Sequence, residues 1–172
     1  MTRRKTAVAW TILLYYVLIG TGHAGPRPTK AKLDLSQLQA LASALASRLG
    51  LHQSVRVVVV EKNEFVISVE PIPGEDETYR LLVERAFLDA LDDDDTAAAI
   101  AHELGHVWLF THHPYLHTET LANDIAMRIV PRHQLEDLYS KLWKYTGVAG
   151  SIANVLGAAP VDPSAQLVKG DH

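Results

Sequence analysis

The run from Thr96 to Phe110, Thr-Ala-Ala-Ala-Ile-Ala-His-Glu-Leu-Gly-His-Val-Trp-Leu-Phe, constrains this chain more than any other segment. It is rich in helix formers and apolar on nearly every face of the helix it predicts, and a helix of that kind belongs in a core. Its only ionisable members are His102, Glu103 and His106. Buried ionisable groups are strongly disfavoured unless they are paired or ligate a metal, so the fold must give these three a partner. Residues four apart on a helix share a face, which lets His102 and His106 approach one ion. Glu103 projects beside them, where its carboxylate can take a proton from an attacking water. The plain alternative is a core helix whose histidines are satisfied by hydrogen bonds alone. Bare burial suits three such groups poorly.

The flanks define the helix and point to a second one. Asp92-Asp93-Asp94-Asp95 precedes it, and aspartates at an N-terminus cap free amides and oppose the positive end of the helix dipole. The same run lacks the glycine and the spaced oxygen ligands of a calcium loop. Pro114 disfavours helical geometry at His113, so the helix is expected to end near Thr111 or His112. Thr118 can then cap a second helix with Glu119 in its first turn, apolar through Leu121, Ala122, Ile125, Ala126, Ile129 and Val130. This predicts a helical hairpin with Glu119 facing back toward His106. Two histidines do not complete a tetrahedral site, and His112, His113, His117 and Glu119 are the nearby candidates for a third ligand. His112 lies six residues after His106, a spacing that resembles the metzincins, but Leu109 stands where that family has the Gly that lets the chain turn sharply, and a continuing helix carries His112 past the site. Glu119 is therefore preferred. His113, His117 and Tyr115 read as loop residues, any of which would be free to stabilise a developing oxyanion.

His102-Glu-Leu-Gly-His106 matches the HExxH pattern of zincin metallopeptidases. Glu119-Thr-Leu-Ala-Asn123-Asp-Ile-Ala126 resembles the second conserved helix of the gluzincins, in which a Glu three residues before an Ala is the third ligand and an Asp or Asn follows that Ala. The approach from Asp89 through the aspartate run to His106 resembles the Ste24/HtpX-like peptidases, while Ala122-Asn123 and Val130-Pro131 are similar to the ImmA/IrrE group. The resemblance covers about residues 80 to 131. It implies a zincin-like α+β fold: a small antiparallel or mixed sheet, the HExxH metal helix and a second ligand helix. It also implies one Zn2+ per chain held by His102, His106 and Glu119, with Glu103 as general base, acting on a peptide or protein substrate. Two departures stand out. Only twelve residues separate His106 from Glu119, so the loop that usually shapes the cleft is nearly absent, and Asn123 stands where many members have Asp.

The N-terminus reads as an export signal over residues 1–24. Arg3-Arg4-Lys5 is a basic n-region, Ala7 to Ile19 an apolar h-region, and Gly22-His23-Ala24 places small residues where a signal peptidase reads. The apolar core falls short of the ~20 residues that span a bilayer, so a periplasmic or secreted protein is expected, with an uncleaved membrane anchor as the alternative. The chain has no cysteine, which excludes disulfides and thiolate chemistry. A formal net charge of -4 with no basic stripe beyond the leader and a short Arg27-to-Lys32 segment argues against nucleic acid as a partner.

After a linker at residues 25–33, one domain is expected over 34–147. Ser36 to Gln39 reads as a capping box before an amphipathic helix carrying Leu38, Leu41, Leu45 and Leu49 and ended by Gly50. Val55 to Val60 and Phe65 to Val69 read as a β-hairpin around Lys62-Asn63, with a further strand at Tyr79 to Val83. Arg132 to Tyr145 predicts an amphipathic helix closed by Gly147. Residues 148–172, rich in Gly, Ala and Pro, read as a flexible tail. A reading from another class keeps the scaffold without turnover, as a zinc-stabilised adaptor or assembly factor. Glu103 argues against it, because a purely structural site closes its fourth position and has no use for a base there.

Overall fold

The computed structural model describes residues 32–113, 115, 116 and 118–158. The segment expected to be an export signal and most of the expected linker lie outside them. The described chain is α+β, with elements in the order α1 (Leu35–Arg48), β1 (Ser54–Val60), β2 (Ile67–Pro71), β3 (Thr78–Glu84), α2 (Arg85–Leu88), α3 (Asp93–His112), α4 (Glu119–Ala126), α5 (Arg132–Thr146) and α6 (Ile152–Leu156).

The apolar helix predicted from composition is α3, and it packs against α1, α4, α5, β2 and β3. Its start is an acidic capping box: Asp92 accepts from the Asp95 amide at 2.9 Å while the Asp95 carboxylate accepts from the Asp92 amide at 2.9 Å. Lys141 of α5 donates to both carboxylates, which ties the buried Asp95 to a partner and α5 to the beginning of α3. α1 also begins with a capping box, but two residues earlier than the Ser36 reading. Asp34 is the N-cap, accepting from the Gln37 amide at 2.9 Å, and the Gln37 side chain accepts from the Asp34 amide at 2.8 Å. Asp34-x-x-Gln37 satisfies the same two donors as the Ser36 pattern, with a carboxylate that also suits the helix dipole.

The sheet corrects the expected hairpin. Its strand order is β1-β3-β2, so the two segments thought to pair lie on opposite edges. β1 runs parallel to β3, with Val57 opposite Leu81, and β2 runs antiparallel to it, with Val69 opposite Leu81. The reason lies in the two connections. The Lys62-Asn63 segment is bonded to the end of β3: the Glu84 carboxylate accepts from Lys62 and from the Asn63 amide, each at 3.1 Å. The tight turn falls at Pro73-Gly74, where Gly74 has φ 82° and the Ile72 amide donates to the Thr78 carbonyl at 2.9 Å. Pro-Gly is the stronger turn dipeptide, and it folds β2 back onto β3. β2 is thus an edge strand.

Leu81, Phe87, Leu38, Ile100, Leu104 and Leu135 are fully buried and knit the sheet to α1, α3 and α5. Gly147, at φ 72°, closes α5 as expected. The packed chain does not stop there. α6 follows with Leu156 buried, held by Arg132, whose guanidinium donates to the Leu156 carbonyl at 2.6 Å and the Gly157 carbonyl at 2.7 Å. The expected tail at residues 148–172 therefore includes an ordered helix, anchored through backbone acceptors that side-chain composition does not reveal. Residues 159–172 lie outside the described ones. Among the described residues, no helix is long and apolar enough to cross a membrane.

Candidate metal centre

α3 places His102 and His106 on one face, and the short connection to α4 brings Glu119 opposite them. The connection works because α3 ends at His112 and Thr118 caps α4, its hydroxyl accepting from the Leu121 amide at 3.2 Å. Glu119 then occupies the first turn of α4. Its Oε2 lies 3.2 Å from His102 Nε2 and its Oε1 lies 3.5 Å from His106 Nε2. The two Nε2 atoms are 3.3 Å apart, and the rings meet edge to face.

The donor set fits a tetrahedral ion. Ligand atoms about 2.0–2.2 Å from such an ion lie about 3.3–3.6 Å from one another, which is the spacing found here. Proton placement points the same way. Asn123, fully buried on α4, donates from Nδ2 to the Val155 carbonyl at 2.9 Å and to the Tyr139 hydroxyl oxygen at 2.8 Å. A carbonyl can only accept, so the amide orientation is determined and Asn123 Oδ1 faces His102 Nδ1 at 2.8 Å. The neutral form of His102 therefore carries its proton on Nδ1 and turns the Nε2 lone pair toward Glu119 and His106. Lone pairs converging at this distance repel one another unless a cation or a proton lies between them. His102, His106 and Glu119 are the group among the described residues whose donor atoms could hold a metal ion.

Exposure is graded across the group. The His102 side chain is 10% exposed, that of His106 18%, and that of Glu119 63%. Burial opposes a charge on His102, but hydrogen bonding to Glu119 and the negative field of Glu103 and Glu119 outweigh it and raise its pKa. The Glu119 carboxyl is held well below the usual carboxylate range by its hydrogen bonds to His102 and His106. Glu103 is buried beside them. Burial pushes its carboxyl upward, against the pull of the two histidines.

The other candidates go elsewhere. His112 sits at the last turn of α3 with its ring stacked on Trp108 at 4.1 Å and its Nδ1 2.9 Å from the Trp108 carbonyl. His113 is the C-cap of α3 and also packs against Trp108, and Tyr115 is 95% exposed. Neither lines the cleft that holds the donors, and His117 lies outside the described residues. The cleft is walled by β2, α3 and α5 and has a volume of about 350 Å³. Its lining includes Tyr139, which sequence reasoning passed over and whose ring stands edge-on to His102 at 6.0 Å. Only its place on the buried face of α5, one residue after Leu138, hinted at this. Gly105 was legible only as an anomaly, a glycine inside a helix. A Cβ there would lie 2.3 Å from the Ala122 carbonyl oxygen, so this glycine permits the close approach of α4 to α3.

No family model and no curated protein matches the chain. Among solved structures, the crystal structure of the metallopeptidase zymogen of Pyrococcus abyssi abylysin is similar to this chain at 14% identity and a TM-score of 0.47, over 64% of this chain and 95% of that one.

Proposed function

We propose that this chain is a zinc-dependent metallopeptidase of the gluzincin type that hydrolyses bonds within peptide or protein substrates. The observation that carries the reading is the convergence of His102 Nε2, His106 Nε2 and a Glu119 oxygen at tetrahedral spacing, with the buried Glu103 beside them at the head of an open cleft. Three protein donors leave one position open, the arrangement of catalytic zinc sites. When bound, zinc would supply Lewis-acid polarisation of the scissile carbonyl and lower the pKa of a water. Glu103 takes the proton from the attacking water and passes it to the departing amine. Its raised affinity for a proton, caused by burial, suits a group that must accept one and return it. Asn123 keeps the His102 Nε2 lone pair directed at the site. Among the described residues β2 is an edge strand beside the cleft, where an extended substrate can add as a further strand.

We also propose, from the N-terminal sequence alone, that the protein is exported, with a mature chain beginning near Gly25. The basic n-region, the short h-region and Gly22-His23-Ala24 support it. N-terminal sequencing of the natively produced protein checks this. Recovery of Met1 or Thr2 from membranes would establish an uncleaved anchor instead.

The deciding test of the catalytic reading compares wild type with Glu103→Gln. Both should carry about one zinc per chain by elemental analysis, and the variant should lose about 10²- to 10⁴-fold in peptide hydrolysis, the usual contribution of a positioned base. Zinc in both proteins with no hydrolysis in either, across a broad peptide library, would favour the adaptor reading.

A further inference from the structure

We propose that the cleft selects a bulky apolar side chain next to the scissile bond, in the interior of a polypeptide and not at its end, and that Phe65 is a specificity-determining residue. The inference rests on the peptidase reading above and adds its substrate class.

Away from the donors, the cleft wall is apolar: Ile67 and Val69 of β2, Phe110 of α3, and Leu138 and Leu142 of α5. Apart from Ser68 and Tyr139, its polar members are His102, Glu103, His106 and Glu119, all of them already assigned to the metal and the base. No Lys or Arg among the described residues lines it. A peptidase that recognises a chain's end needs a cation for the terminal carboxylate or a spare carboxylate for the terminal amine, because an unpaired terminal charge would be desolvated at a cost. Among the described residues, this cleft offers neither. An apolar side chain, in contrast, gains by leaving water for these walls.

Phe65 stands at the rim with 70% of its surface exposed and is not part of the core cluster. The backbone sacrifices regular geometry to put it there. Val66 has φ 67°, a conformation that β-branched residues rarely adopt, and the Ile67 amide donates to the Phe65 carbonyl at 2.7 Å, closing a γ-turn around Val66. Such a turn persists only where its surroundings over-determine it. Here they do. Asn63 Oδ1 accepts from the Phe65 amide at 3.1 Å, the Val66 carbonyl accepts from the Glu84 amide at 2.8 Å, and the Val66 amide donates to the Asn63 carbonyl at 3.0 Å. A strained turn that presents an exposed phenylalanine to the apolar cleft that also holds the donors is explained by contact with substrate.

The test uses the full chain loaded with zinc and peptides that are N-acetylated and C-amidated, carrying a single Phe or Leu in a Gly/Ser/Ala background. Cleavage should fall beside that residue, with kcat/KM about 10- to 200-fold above peptides bearing Asp or Lys there, the discrimination an apolar pocket gives. Phe65→Ala should reduce this ratio several-fold while leaving zinc content unchanged. Equal cleavage of Asp or Lys peptides, a requirement for a free terminus, or an unchanged ratio in Phe65→Ala would overturn the proposal. Binding of dye-labelled versions of the same peptides to Glu103→Gln, read by fluorescence anisotropy, separates it from the peptidase reading. Selective binding of the Phe peptide with no cleavage by wild type would retire the peptidase reading alone, and binding without selectivity would retire the pocket proposal.

Discussion

At Gly105 and Asn123 single atoms decide whether α3 and α4 can build a site between them. A methyl group at position 105 would press into the Ala122 backbone, which cannot swing aside like the end of a side chain. Gly105→Ala should thus cost about 1–3 kcal/mol, the usual price of overpacking, despite the better helix propensity of alanine. It should also displace Glu119 and weaken zinc binding, as thermal denaturation and chelator competition on one sample would show. A stability gain with unchanged zinc affinity would contradict the account. Asn123 makes a finer prediction. It needs an acceptor toward His102 and donors toward Val155 and Tyr139, which an amide has and a carboxylate lacks. Asn123→Asp should keep the His102 bond and lose about 1–3 kcal/mol of stability, since the buried Tyr139 hydroxyl and the half-buried Val155 carbonyl lose their donor. Asn123→Ala should lose the His102 bond as well and weaken zinc about 10- to 100-fold. An asparagine at this position is thus explained by its neighbours in this chain.

Among the elements, α6 and the β1-β2 connection were the least legible. The α3-α4 pair could be read because its signals are local: an aspartate cap, an apolar run, Pro114, then Thr118 followed by Glu119. α6 is too short and too weakly patterned to announce itself, and it is held by backbone carbonyls given to Arg132, Thr120 and Asn123. Ending the chain after Gly150 should remove the Val155 acceptor and lower both the unfolding midpoint and the zinc affinity. The β1-β2 connection was misread because strand pairing depends on partners distant in sequence. Its anchor, Glu84, is buried and accepts from Tyr145 at 2.5 Å as well as from Lys62 and Asn63. These donors, Tyr145 foremost, lower its pKa from 4.5 to about 2. A carboxylate held low in the folded state stabilises above its unfolded pKa and loses that contribution as pH falls through the folded value. The stability advantage of wild type over Tyr145→Phe should therefore be full above about pH 5 and shrink toward pH 2. An advantage independent of pH across that window would show that Tyr145 acts by packing alone.

For the whole molecule, the central claim is that a small mixed sheet and one apolar helix exist to bring a second helix's carboxylate to a pair of histidines. The α+β class, the helix that carries His102 and His106, and the approach of Glu119 were legible because three ionisable groups in an apolar helix leave few physical solutions. The cleft walls were not, because Phe65, Phe110 and Leu142 meet only in the folded chain and read singly as ordinary apolar residues. The measurement that tests the claim most directly is a zinc titration of wild type, Glu119→Ala and His112→Ala against a competing chelator. The account predicts a steep loss of affinity for Glu119→Ala, because it removes one of three donors and the charge that offsets the ion. His112→Ala, stacked on Trp108 away from the site, should bind zinc like wild type. The reverse order, or equal affinity in all three proteins, would contradict it.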